Sequence, residues 1–334
     1  MIKLAYQTSL PPPEYGSNAI PDRRRHTCII LLHGFSGSSE YFEKNFAALS
    51  ADHWVVAPDL RGHGQSGRPS GGYHVARLAA DLRDLLAHLR QQTAAETDAG
   101  HHGVSIRFVP VGCSLGAAVL WTYAELFGRG DTCDDFAGCV FVDQAPLQDL
   151  SPFGASEQYG DGPWEKSKAH LGCYDEATMR AAQELWTRDP PTAHADLVAG
   201  CLGYRVAPEP DRDDLSAERR AADEQFFTRI SAQCDPVWLA RLLADHTRYD
   251  HREAIDEHFM TLPTLVLAGR RTGCFPIEGI RETVRRVERR RPSLESAAFQ
   301  LFDSGHWLFY EEPERFNEVI LSFIRNCTSF KTST

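Results

Sequence analysis

No run of about 18 apolar residues occurs anywhere in the 334-residue chain, so no segment reads as a membrane-spanning helix. The first thirteen residues hold no long apolar stretch either, because PPP interrupts them, and a secretory leader is not expected. Also missing is any CxxC or Cys/His spacing of the zinc-binding kind. The nine cysteines, odd in number and scattered singly, predict free thiols in a reducing compartment, hence a cytoplasmic protein with neither disulfide frame nor metal. Positive charge is scarce. With 35 Lys plus Arg against 46 Asp plus Glu the net charge is −11, which argues against nucleic acid or anionic membrane surfaces as partners. Internal repeats and low-complexity tracts are lacking as well. What the chain does have, 42% hydrophobic and 24% charged residues, is enough apolar material for one large domain with room for an insertion.

Short apolar runs alternate with helical patterns. Thr27–Leu32, Trp54–Ala57, Ile106–Val111, Cys139–Val142, Leu262–Ala268 and Ala297–Phe302 are nearly all apolar, as strands buried on both faces of a parallel sheet should be. Between them, His74–Arg90 places Val75, Leu78, Leu82, Leu85, Leu86 and Leu89 on one stripe. The pattern predicts an α/β fold, a mostly parallel central sheet with helices on both faces. The alternation stops after Pro146 and resumes near Leu262. The intervening helical segments, Asp175–Arg188, Thr192–Gly203, Asp214–Ile230 and Pro236–His246, are punctuated by prolines at 190, 191, 208, 210 and 236. Residues 146–260 therefore read as an inserted helical cap on a core of 1–145 plus 261–334. Within this block, the charged stretch Pro208–Glu224 is expected to be mobile; earlier in the chain, Gln91–Gly103 is expected to be an exposed loop.

The run Ile106–Val111 leads directly into Gly112-Cys113-Ser114-Leu115-Gly116 and a helical pattern, which is G-x-S-x-G in the setting that chemistry requires. A sharp strand-to-helix turn lifts the Ser114 hydroxyl clear of the sheet, and glycine tolerates the crowding around it. The first buried strand ends in His33-Gly34-Phe35. A turn there can aim the Phe35 amide at the serine, forming an oxyanion hole with the amide of Leu115. The His33 side chain reads as a turn residue bound to its own backbone. After the last strand comes Asp303-Ser304-Gly305-His306, and that position singles out His306 among 14 histidines as a general base.

In LLHGFSGSSEYF, VVAPDLRGHGQSG, VGCSLGAAV and DSGHWLFYEEPERF, taken in this order, the chain resembles the α/β-hydrolase superfamily over residues 27–146 and 262–325. The resemblance implies a capped serine hydrolase that needs no cofactor or metal. It departs at one place. Where most members carry an aspartate in G-x-x-D-x-x-x-P, this chain has Gly269-Arg270-Arg271-Thr272-Gly273-Cys274-Phe275-Pro276, and threonine cannot carry the charge. Some members place the acid after the preceding strand, where this chain has Asp143. Glu278 and Asp303 are the rival carboxylates, and Asp143 as a mere turn former is the competing reading.

The expectation is then a serine hydrolase acting on a carboxylic ester, thioester or lactone of a hydrophobic small molecule, with Ser114, His306 and Asp143 as its triad. Trp121, Trp164, Trp186, Trp238 and Phe226, with Phe227, are candidates to line the substrate site, against a plain packing role. The alternatives are a lyase, a carbon–carbon hydrolase, or a haloperoxidase-like or cofactor-free oxygenase using the same triad; VFVDQAP resembles haloperoxidase segments. A non-catalytic ligand receptor on this fold is the alternative from another class. Gly62-His63-Gly64-Gln65-Ser66-Gly67 matches G-x-G-x-x-G, but Arg68-Pro69 follows where a dinucleotide site needs a helix. Arg281–Arg291 reads as a solvated helix face, His101-His102 as loop, and Cys113 as buried and inert.

Overall fold

The computed structural model describes residues 2–9, 27–95, 106–129, 135–148, 174–211, 213–259, 261–289 and 297–329. The chain opens with β1 (Tyr6–Thr8), β2 (Thr27–Leu32), α1 (Phe46–Ser50), β3 (Trp54–Pro58) and α2 (Val75–Ala95). It continues with β4 (Arg107–Cys113), α3 (Leu115–Phe127) and β5 (Cys139–Val142). Six helices follow: α4 (Glu176–Arg188), α5 (Pro190–Cys201), α6 (Gly203–Val206), α7 (Ala217–Ser231), α8 (Pro236–His246) and α9 (Arg252–His258). The last elements are β6 (Thr264–Gly269), α10 (Ile277–Arg289), β7 (Ala297–Phe302), α11 (Leu308–Glu311) and α12 (Pro313–Ser329).

The strands form one sheet in the order β1-β3-β2-β4-β5-β6-β7, parallel throughout except for β1. Alternate side chains of each inner strand serve opposite faces. Cys28, Ile30 and Leu32 of β2 join a core with α2, α3 and α10, whereas Ile29 and Leu31 join a second core with Phe316, Ile320 and Ile324 of α12. This two-sided burial is why the inner strands read as unbroken apolar runs. β7 departs from that reading: it lies at the sheet edge and is mostly half-buried. β1, three residues of polar edge paired antiparallel to β3, carries no apolar pattern that sequence could reveal.

Other expectations change in the details. α2 runs on through Ala95 into the stretch read as loop, and the rest of that stretch, with His101-His102, lies outside the described residues. The described residues of the 208–224 stretch make specific contacts with the core. Asp213 is buried and pairs with Arg271 at 2.6 Å, and α7 begins at Ala217. On α10, Arg286 is not solvated but buried, and pairs with Asp256 at 2.6 Å.

The helices between β5 and β6 form an excursion whose two ends are tied together. The His251 amide donates to the Pro146 carbonyl at 2.9 Å, beside a bridge between Leu147 and Asp250. The prolines read as punctuation open helices here: Pro190 begins α5 and Pro236 begins α8, where the missing N–H costs nothing. Asp175 and Asp235 cap α4 and α8 by accepting amide hydrogen bonds. A separate cluster, Trp186, Ala193, Cys234, Leu239, Ala240 and Leu243, gives this block its own small core. α9 belongs elsewhere: Ala254 and Ile255 join the core around α3 and α10, so the sheet's covering resumes before residue 261.

Candidate active site

Ser114 sits between β4 and α3 with φ 51° and ψ −120°. A non-glycine residue in such a region costs of order 1–3 kcal/mol, which surrounding structure must offset. Its amide is held by the Val142 carbonyl at 2.8 Å. A Cβ on Gly112 would lie 2.6 Å from the Gly116 backbone, and one on Gly116 would lie 2.6 Å from the Leu32 carbonyl oxygen. Any side chain at either place would push β2, β4 and α3 apart, which explains the two glycines of the motif.

The turn after β2 lies against this serine. A Cβ on Gly34 would come within 3.0 Å of the Ser114 Cβ. His33 shapes the turn: its Nε2 accepts the Leu60 amide at 2.9 Å and its Nδ1 donates to the Gly34 carbonyl at 2.8 Å. Burial holds the His33 pKa below its ordinary value, in keeping with the neutral tautomer these bonds require. Among the described residues, neither the Phe35 nor the Leu115 amide meets an acceptor. Ser36 follows with φ 61°, its hydroxyl bonded to that of Ser231, which in turn meets His194 Nδ1 at 2.5 Å. Helices α5 and α7 thus hold the turn from above.

Asp143 ends β5 with φ 48° and is fully buried. Its carboxylate is saturated. Oδ1 accepts the Gly269 amide at 2.8 Å, and Oδ2 accepts both His306 Nδ1 at 2.5 Å and the Thr272 hydroxyl at 2.7 Å. The rival carboxylates are engaged elsewhere: Glu278 with Arg281 and Arg285, Asp303 with Arg270 and Arg271. Thr272, which sequence alone marks only as the wrong residue, is a donor to the acid. The His306 amide donates to the Cys201 carbonyl at 2.7 Å, at the end of α5. Beside this loop Glu311 accepts the Gly203 and Gly305 amides, each at 3.1 Å, and burial lifts its pKa to about 7 despite them.

Two cysteines flank the histidine in a way that spacing could not reveal. Cys274 Sγ lies 3.6 Å from Cys201 Sγ, 73 residues away in sequence, and both sulfurs cluster with a ring nitrogen of His306. Burial disfavours the imidazolium, but the Cys274 sulfur and the Asp143 carboxylate outweigh it and raise the His306 pKa. The Cys274 thiol is lowered by its bond to Cys201 and by His306. Cys113 is buried with its pKa raised by desolvation, as an inert thiol should be.

Ser114 and His306 open onto one cavity of about 380 Å³ between the strand ends and helices α4, α5 and α8. Its wall is mostly apolar, with Phe35, Leu185, Trp186, Leu197, Leu243 and Trp307, while Gln148, Asp196 and His246 supply polar atoms. Burial lowers His246 to about 3, so it is neutral beside Gln148, which lies 3.1 Å from its Nε2. Of the aromatics expected at the site, Trp186 lines the cavity, edge-on to Phe35 at 5.5 Å. Trp121 does not: it is fully buried against Phe141 and His251 on the far side of α3. Trp238 stacks on Tyr73 at 4.5 Å, Phe226 on Tyr310 at 5.3 Å, and Phe227 on Trp307 at 3.6 Å; all three serve packing. Trp164 lies outside the described residues. The 62–67 turn has no helix within it, and Asp59, just before it, accepts the Ser39 and Gln65 amides.

The sequence profile of the alpha/beta hydrolase family matches residues 29–319. An uncharacterized protein of Mycobacterium tuberculosis is 36% identical over 305 residues, which span 89% of this chain and 74% of that one. Among solved structures, the bromoperoxidase from Bacillus anthracis superposes with a TM-score of 0.72 at 21% identity, covering 97% of this chain and 96% of that one. An esterase from Exiguobacterium antarcticum follows at 0.68 and 17%, with the same coverage. At such identities the two structures speak for the fold alone. Among the described residues no helix is long and apolar enough to cross a membrane.

Proposed function

The chain belongs to the alpha/beta hydrolase family, and on that premise we propose that it is a serine hydrolase cleaving a carboxylic ester, thioester or lactone of a hydrophobic small molecule. The observation that carries this reading is the Asp143–His306 contact of 2.5 Å, made on the wall of the cavity that also receives the strained Ser114. Ser114 Oγ attacks the acyl carbon while His306 Nε2, the nitrogen not engaged by Asp143, takes its proton. Asp143 fixes the Nδ1–H tautomer and stabilises the imidazolium, and the proton then passes to the leaving group. The Phe35 and Leu115 amides, which meet no acceptor among the described residues, receive the charge that develops on the carbonyl oxygen, at about 3 kcal/mol for a donor of this kind. Water later attacks the acyl-enzyme by the same route.

The helices α4–α8 act in this reading as a cap that excludes water and selects substrate. The cavity is small and mostly apolar, which favours a compact acyl or ring-containing substrate. The neutral His246 and Gln148 suit a polar substituent away from the scissile bond. A fluorophosphonate probe should label Ser114, and a panel of p-nitrophenyl esters and lactones should give turnover that falls at least about 10³-fold in Ser114→Ala. Labelling that persists in Ser114→Ala, or retention of a tenth of the turnover, would overturn the assignment.

A further inference from the structure

We propose that Cys201, Cys274 and His306 form a binding site for a thiophilic divalent ion of the zinc type, and that occupation of this site switches the hydrolase off. The donor set is two sulfurs and one imidazole nitrogen, mutually within 4.8 Å. Thiolates about 2.3 Å from a tetrahedral ion sit about 3.8 Å apart, against 3.6 Å between Cys201 and Cys274 here. The pair therefore has the separation of two ligands on one ion before any ion arrives.

The third ligand is equally prepared. Asp143 holds His306 Nδ1, which leaves Nε2 as the nitrogen to coordinate, and a carboxylate behind a metal-bound histidine is the usual way to fix ring and tautomer. All three residues line the cavity, and Cys274 is part-exposed where Cys201 and His306 are buried, so the cavity is the way in. The stoichiometry is plain: one M²⁺ displaces the two protons shared among the two sulfurs and the His306 imidazole, and is then held by two thiolates and a neutral imidazole. Nε2 cannot then accept the Ser114 proton, so binding and turnover exclude one another. That last step rests on the triad reading above; the binding itself does not.

Two readouts separate these claims. Cd²⁺ titrated into the full-length protein should give a thiolate-to-metal charge-transfer band at one equivalent. The band should persist in Ser114→Ala and in the control variant Cys327→Ala. It should be lost in Cys274→Ala and Cys201→Ala, whose folding is checked by thermal unfolding without metal. Zn²⁺ should inhibit ester hydrolysis reversibly, with full recovery on adding a chelator. Relative to each variant's own metal-free rate, loss of either thiol should raise the half-inhibiting concentration at least about 10-fold. Absence of the band from the wild-type protein, or its survival in both cysteine variants, would overturn the site. If the cysteine variants fold poorly, protection of Cys274 from alkylation by one equivalent of Zn²⁺ in the wild-type protein decides the matter, and unprotected alkylation refutes it. A normal band in a protein that hydrolyses neither esters, thioesters nor lactones and takes no fluorophosphonate label at Ser114 would instead refute the triad reading and leave the site standing.

Discussion

The Thr272 hydroxyl and the His306 imidazole meet on the same oxygen of Asp143, at 2.7 and 2.5 Å. The loop after β6, where the sequence resemblance would place an acid, here gives the Asp143 carboxylate a hydrogen bond instead. The charge stands one strand away, and the Gly269 amide on Oδ1 completes its cradle.

Asp143→Asn should therefore keep the fold and lose the chemistry. Asparagine cannot stabilise an imidazolium and presents the wrong tautomer, a change that costs about 10⁴-fold in turnover in the serine proteases. Steady-state kinetics beside circular dichroism would check this. Adding Thr272→Asp to that variant should restore part of the rate by returning a carboxylate from the neighbouring loop. Equal rates in the single and double variants would show that position 272 cannot reach the imidazole.

Thr272→Ala should lower the rate, because it removes a hydrogen bond to the buried Asp143 carboxylate. A hydrogen bond to a charged group contributes about 1.5–3 kcal/mol, so a drop in kcat of about tenfold or more is expected. KM should hardly move, since the hydroxyl faces Asp143 and not the substrate. Unchanged kcat would mean that Asp143 is positioned without it.

Glu311 links pH to stability. Its carboxyl is raised by burial from 4.5 to about 7, so the folded protein holds this proton more tightly than the unfolded chain does. Its contribution is fully present below about pH 4.5 and is lost as pH rises through about 7. Glu311→Gln removes that titration, and its Tm should fall less steeply than that of the wild type across this window. Glutamine has one acceptor for two amides, so the variant should also be less stable at acidic pH by about 1–3 kcal/mol. Parallel Tm–pH curves would place the titration elsewhere.

Trp186 both closes the cavity and fills the small core of the inserted helices. Trp186→Ala should lower stability by about 3–5 kcal/mol, read from chemical denaturation. It should also shift the preference among esters toward bulkier acyl groups. A wild-type chain-length profile in the variant would mean that Trp186 does not contact substrate.

Much of this was legible before any coordinates. The glycines of G-x-S-x-G, the strand before Ser114 and the place of His306 after the last strand are local patterns, and local patterns survive folding. Asp143 followed from an absence, the missing carboxylate at 272. What stayed hidden depended on long-range approach. Nothing in spacing tells that Cys201 meets Cys274, or that Ser231 and His194 reach down to Ser36. Composition likewise misled about the tryptophans. Trp121 and Trp238 are as aromatic as Trp186, but only the direction in which their helices face decides which of them sees the cavity. The charged stretch around Asp213 reads as mobile from sequence because its partner Arg271 lies far along the chain.

The amide of His306 hangs from the last carbonyl of α5, Gly273 hangs from Gly200 beside it, and Glu311 clasps Gly203 and Gly305 across the same seam. On the proposed triad, the roof of the cavity and the carrier of the proton would thus be one mechanical piece. An outward swing of α5 wide enough to admit an oversized guest must break these bonds or drag His306 away from Asp143. On that reading, gaping and reacting would be mutually exclusive postures, and a molecule too large to fit with the roof shut would be refused by lost timing as much as by collision with a wall.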